Sequence, residues 1–147
     1  MNRKLVAYWV TTALLAFFIG SGGAAEAARV PGNVDGLVAL GYPVYFIVLI
    51  GLWKVLGAIT VLVPRVPRLK EWAYAGMFFN MTGAAVSTVA VNGTGEPWHV
   101  VVQLLMAALI VVSWALRPPS RRLSAILPGP AGPIRQDALA ASATAAA

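Results

Sequence analysis

The side chains able to do chemistry in this sequence are few, and most stand inside or beside long apolar runs. Lys54 interrupts "LIGLWKVLGAIT", residues 49 to 60, with almost nothing charged for ten residues on either side. Glu26, Asn80, Gln103 and His99 are the other polar groups placed in or next to such runs. A lysine offers three N–H donors and a positive charge, a glutamate accepts, and the two amides do both. This set suits a polar core, or a counter-ion and hydrogen-bond donor for a bound quinone, lipid headgroup or carboxylate. Other chemistries are excluded. Without cysteine there is no thiolate, disulfide or iron–sulfur chemistry, and one histidine cannot give a bis-histidine haem. The five acidic residues are too few and too peripheral for a di-metal site. No catalytic residue and no metal ligand is therefore assigned.

The elements that must position these residues are legible in the composition. The 147 residues are 59% hydrophobic and only 11% charged, with mean hydropathy +0.77. Soluble domains carry about 25% charged residues. Four apolar runs, residues 5–25, 43–63, 72–91 and 98–116, each have the length of about 20 residues that a helix needs to cross a bilayer. The expected fold is all-α: a polytopic membrane protein built as an antiparallel bundle of four transmembrane helices, in a domain covering residues 1–118. Residues 119–147 form a Pro/Ala-rich tail whose composition predicts disorder.

Basic residues set the orientation. Arg3, Lys4, Arg65, Arg68, Lys70, Arg117, Arg121 and Arg122 fall on one side of the four runs, and only Arg29 on the other. Positively charged loops stay in the cytoplasm, so both termini and the tail are placed there. The net charge of +6 is thus a topology signal at helix ends and not a nucleic-acid surface. A second reading of the N-terminus treats residues 1–27 as a cleaved signal with Ala25-Glu26-Ala27 as its processing site, leaving three spans.

Small and polar residues select helix–helix contacts in a bilayer. On that basis Ala73, Gly76, Asn80, Gly83 and Ser87 form the packing seam of the third run, and His99, Gln103, Met106, Ile110 and Ser113 that of the fourth. Gly51, Lys54 and Ala58 share a face of the second run, and Ala13, Gly20 and Ala24 one of the first. The cluster "GSGGAA" is expected to carry the first helix out into a loop, with Asn33 or Asp35 capping a short turn beyond it. Tyr42, Tyr45, Trp72, Tyr74, Trp98 and Trp114 lie near run ends, at the headgroup level.

At a rise of about 1.5 Å per residue, Lys54 lies roughly 15 Å, Asn80 roughly 13 Å and Gln103 roughly 20 Å from the inner ends of their runs. Lys54 is too deep to snorkel, so it faces inward, where Asn80 and Gln103 can accept hydrogen bonds. Glu26 is the carboxylate partner, with several ångströms left between the two heads. His99, beside Trp98, belongs to the outer boundary.

The segments "LGYPVYF", "GLWKVLGA", "PRVPRLKEWAYAG" and "SWALRP" resemble the DoxX-like family of small bacterial four-helix membrane proteins. The resemblance covers about residues 5–118 and is most specific from Leu40 to Gly76, where Lys54 occupies a recurrent G-x-x-K/E type position. It implies an inner-membrane accessory subunit of a quinone- or lipid-linked redox complex, without catalytic activity of its own. No covalently bound cofactor is implied; the ligand would be quinone or lipid, and the partners the lipid bilayer and other membrane subunits. The alternative is a membrane assembly or interaction factor without a redox role.

Overall fold

The computed structural model describes residues 3–93 and 97–122. It is all-helical over those residues: α1 Arg3–Ala27, α2 Pro31–Ala39, α3 Val44–Leu62, α4 Pro67–Asn92 and α5 Pro97–Ala115, closed by a 3₁₀ turn at Pro119–Arg121. Three of them, α1, α3 and α5, are long and apolar enough to cross a membrane. The expected tail beyond Arg122, and Glu96 in the last outer loop, lie outside the described residues.

Several expectations are corrected. "GSGGAA" does not leave the helix: α1 runs on to Ala27, and Gly20 and Gly23 face α3 instead of a turn. The short outer turn is a nine-residue helix, α2, with Pro31 in its first turn and no side-chain cap. Proline's fixed φ and missing N–H suit that position, so neither Asn33 nor Asp35 acts as a cap. In the same way Pro67 starts α4 five residues before the apolar run, and part of the basic connection is helical. Gly41, at φ 90°, makes the left-handed turn from α2 into α3.

The four long helices share one core. Leu15 and Ile19 from α1, Val61 from α3, Tyr74, Met77 and Met81 from α4, and Ala107 and Ile110 from α5 bury against one another. α1 packs most extensively on α3 and also meets α5, while α4 packs on α5 and α3; α2 lies across α1 and α3. The α5 seam is observed in part: Ile110 and Ser113 are buried and Met106 packs on the core, but His99 is exposed.

The α4 seam is not where small residues put it. Lys70, Tyr74, Met77, Met81, Ala85 and Thr88 are buried, while Gly76 and Gly83 are exposed. Most of the buried set lies one residue further along than the small stripe, a rotation of about 100°. Tyr74, Met77 and Met81 have the volume to fill a space bordered by three other helices, and the glycines do not. Tyr74 thereby faces the core, while its neighbour Trp72 is 79% exposed. On α1, Ala13 and Ala24 are likewise exposed, and Tyr8, Thr12, Leu15, Ile19, Gly23 and Glu26 face inward.

Candidate ligand site between α3 and α4

Two glycines decide where the charged pair meets. A Cβ on Gly23 would lie 2.5 Å from the Cβ of Lys54 and 2.7 Å from the carbonyl oxygen of Gly51. A Cβ on Gly51 would lie 2.6 Å from both the Gly23 carbonyl oxygen and the Ala27 nitrogen. The α1 and α3 backbones touch there, as glycine allows and no other residue would. This contact closes the gap expected between Glu26 and Lys54: Lys54 Nζ donates to Glu26 Oε1 at 2.5 Å. Glu26 is 4% exposed, and its Oε2 has no hydrogen-bond partner among the described residues.

Lys54 does not bond to Asn80 or Gln103. Gln103 instead exchanges a long contact with the Thr88 hydroxyl, 3.3 Å, because α5 packs mainly on α4 and α1. Asn80 remains beside Lys54 as a wall of two adjoining cavities. The first, about 500 Å³, is a groove between α3 and α4 lined by Trp53, Leu56, Gly57, Trp72, Gly76 and Met77, with Lys54 and Asn80 as its main polar residues. The second, about 210 Å³, is lined by Glu26, Tyr42, Phe46 and Gly83, and shares Ile50, Lys54 and Asn80 with the first. The stripe Ala73, Gly76, Asn80, Gly83 thus borders open space along α3. Nothing lies within 4 Å of where a Cβ on Gly76 or Gly83 would stand.

His99 and Gln103 line a third space of about 810 Å³ with Thr88 and residues of α2, including Asn33 and Gly36. The five candidate residues are therefore split: Glu26, Lys54 and Asn80 come together, and Gln103 and His99 belong to the other side of α4. Among the described residues no group of three His, Cys, Asp or Glu side chains stands ready to hold a metal ion.

A second polar cluster was not anticipated. Ser113 Oγ is 2.9 Å from both Thr12 Oγ1 and Tyr74 OH, so α1, α4 and α5 are tied together inside the core. At the end of the molecule carrying the basic residues, Arg117, 3% exposed, pairs with Glu71 at 2.8 Å and lies over the Tyr74 ring. Trp114 Nε1 donates to the other Glu71 oxygen at 2.8 Å. Burial works to raise the Glu71 pKa, but the Trp114 and Arg117 hydrogen bonds and the Arg117 charge outweigh it and hold the carboxyl below its usual value. The basic residues also cap helices. Lys70 Nζ donates to the Thr60 and Val61 carbonyls at 2.8 and 2.6 Å, Arg121 to that of Leu62 at 3.2 Å, and Arg122 to that of Ala115 at 2.9 Å. The signal for this was the PRVPRLK and RPPSRR spacing, which sets cations just past the last carbonyls of α3 and α5.

Fold and composition define the class: an all-α, multi-pass membrane protein with a lateral groove whose wall includes Lys54, the cation of an ion pair. The model described as the DoxX-like family matches residues 10–113, and the chain belongs to that family. No curated protein and no solved structure matches it.

Proposed function

We propose that this protein is an accessory subunit of a quinone- or lipid-linked redox complex in the bacterial inner membrane, holding an amphiphilic molecule in the α3–α4 groove. In this reading all four long helices span as an antiparallel bundle with both termini cytoplasmic. The 26 residues of α4 exceed the length a span needs, with residues 72–91 in the bilayer and Lys70 and Glu71 at its inner edge. The observation that carries the function is the groove itself: an apolar slot open on its side, long enough for a hydrocarbon tail, and ending at Lys54, Asn80 and Glu26. Apolar walls with few convergent polar groups are the pattern of small-molecule sites.

Mild-detergent purification of the full chain, with mass spectrometry of the accompanying proteins and lipids, tests it. Redox subunits and a quinone or lipid should come with the chain; a preparation holding neither removes the proposal. One observation favours the assembly-factor reading: Gly76 and Gly83 are exposed beside Phe79 and Val86, each 69% exposed, a face on which another membrane helix could seat. Gly83→Leu should then release partner proteins. Under the redox reading the double replacement Glu26→Gln with Lys54→Gln lowers quinone-dependent turnover of the complex and leaves the partners bound.

A further inference from the structure

The polar atoms at the junction of the two cavities are not matched. A carboxylate has two accepting oxygens and an ammonium has three N–H groups. Here one oxygen and one N–H satisfy each other, Glu26 Oε1 with Lys54 Nζ, and that is the one hydrogen bond of Lys54 among the described residues. Glu26 Oε2 is left buried and without a donor, on a residue that lines the smaller cavity. The charges balance while the hydrogen bonds do not, so the missing group is a neutral donor that can also accept from the remaining Lys54 N–H groups. A hydroxyl does both. A carbonyl or an ether oxygen satisfies only the lysine.

The shape narrows the choice further. The smaller cavity, about 210 Å³, has the capacity for a single ring and is flanked by Tyr42 and Phe46, whose own rings stack at 5.7 Å. The adjoining groove is left open by Gly57 and Gly76, which put no side chain into it, and Trp53 and Trp72 also line it. Resting on the reading of this groove as an amphiphile site, we infer that it selects a phenolic head group: the ring lies in the smaller cavity, its hydroxyl donates to Glu26 Oε2 and accepts from Lys54 Nζ, and its tail follows the α3–α4 groove. Such a site discriminates by hydrogen-bond donation. A ring that carries a hydroxyl binds, and the same ring lacking the O–H leaves a buried carboxylate oxygen unmet.

The test is equilibrium binding to the full chain in nanodiscs, read by quenching of tryptophan fluorescence, with 4-octylphenol, its methyl ether 4-octylanisole, and dioctanoylglycerol as probes. The phenol should bind at least about tenfold tighter than the ether, the factor expected for one unmet buried acceptor. Glu26→Gln replaces the waiting acceptor with an amide N–H, so the preference should collapse to within about twofold or reverse in favour of the ether. The wild-type comparison needs no variant, so the inference stands open to refutation even if Glu26→Gln does not fold. Equal binding of phenol and ether overturns it, as does dioctanoylglycerol matching the phenol, which assigns the site to a lipid glycerol; both leave the amphiphile groove standing. Failure of all three probes to bind overturns the inference and the groove reading together.

Discussion

Removing one partner of a buried ion pair costs more than removing both, because the survivor keeps its charge with nothing to balance it. For Glu26 and Lys54 this gives an asymmetric expectation. Lys54→Met should destabilise the folded chain by about 3 kcal/mol, and Glu26→Gln combined with Lys54→Met should restore most of that loss. Reversible unfolding in mixed micelles across the four members of the cycle checks it; a double variant worse than Lys54→Met would mean the pair is not the unit described. The pair was half legible in the sequence. Two ionisable residues in apolar runs announce themselves, but their contact depends on Gly23, whose cluster of small neighbours reads locally as a helix exit. Asn80 was placed near Lys54 but with a bond that does not form, and Gln103 on the wrong side of α4. Depth follows from counting residues. The direction a side chain faces depends on which helices are neighbours, and counting does not supply that.

At the level of the helices, the α1–α3 contact and the end of α3 are the two places where one residue governs an element. Gly51→Ala sets a methyl group 2.6 Å from two backbone atoms of α1, neither of which can move without shifting the helix. It should cost about 1–3 kcal/mol and part Glu26 from Lys54. Gly57→Ala is the control, since its Cβ meets only the flexible Met77 side chain at 3.5 Å, and should be close to neutral. Lys70 closes the α3 C-terminus from α4, fully buried and beside Arg121 and Arg117. Burial first, and then those two charges, lower its pKa from 10.5 to about 8. The unfolded chain keeps this proton to higher pH, so between about 8 and 10.5 the unfolded state binds more protons and stability rises with pH. The cost of holding the charge is complete below pH 8, and the neutral amine still has two N–H groups for the two carbonyls. Thermal unfolding by circular dichroism at pH 7.5 and 9.5 should show this gain in the wild type relative to Lys70→Met. Lys70→Met should itself be less stable at the higher pH, where two α3 carbonyls lose their donor. An equal pH response in both proteins would remove Lys70 as its source.

Across the whole molecule, apolar length made the long helices legible, and α4 is where charge and length conflict. Its first turns hold Arg68, Lys70 and Glu71, its middle Asn80 and Thr82, and its last turns Ser87 and Thr88, so its hydropathy falls below that of α1, α3 and α5. Packing argues the other way. Tyr74, Met77 and Met81 enter a core shared with α1, α3 and α5, and Thr88 reaches Gln103 of α5 near the opposite end. A helix lying on the membrane surface would not meet three long apolar helices along that length, and this supports the proposal that α4 crosses with them. Because the chain has no cysteine, single introduced cysteines report the topology without background. Arg29→Cys and Asn92→Cys should react with a membrane-impermeant maleimide added outside intact cells, and Arg65→Cys and Arg122→Cys only after permeabilisation. Asn92, exposed at the end of α4, is the deciding position. If it labels with Arg65 instead of with Arg29, α4 does not cross, the groove between α3 and α4 is not open to the bilayer, and a hydrocarbon tail has no route to Lys54.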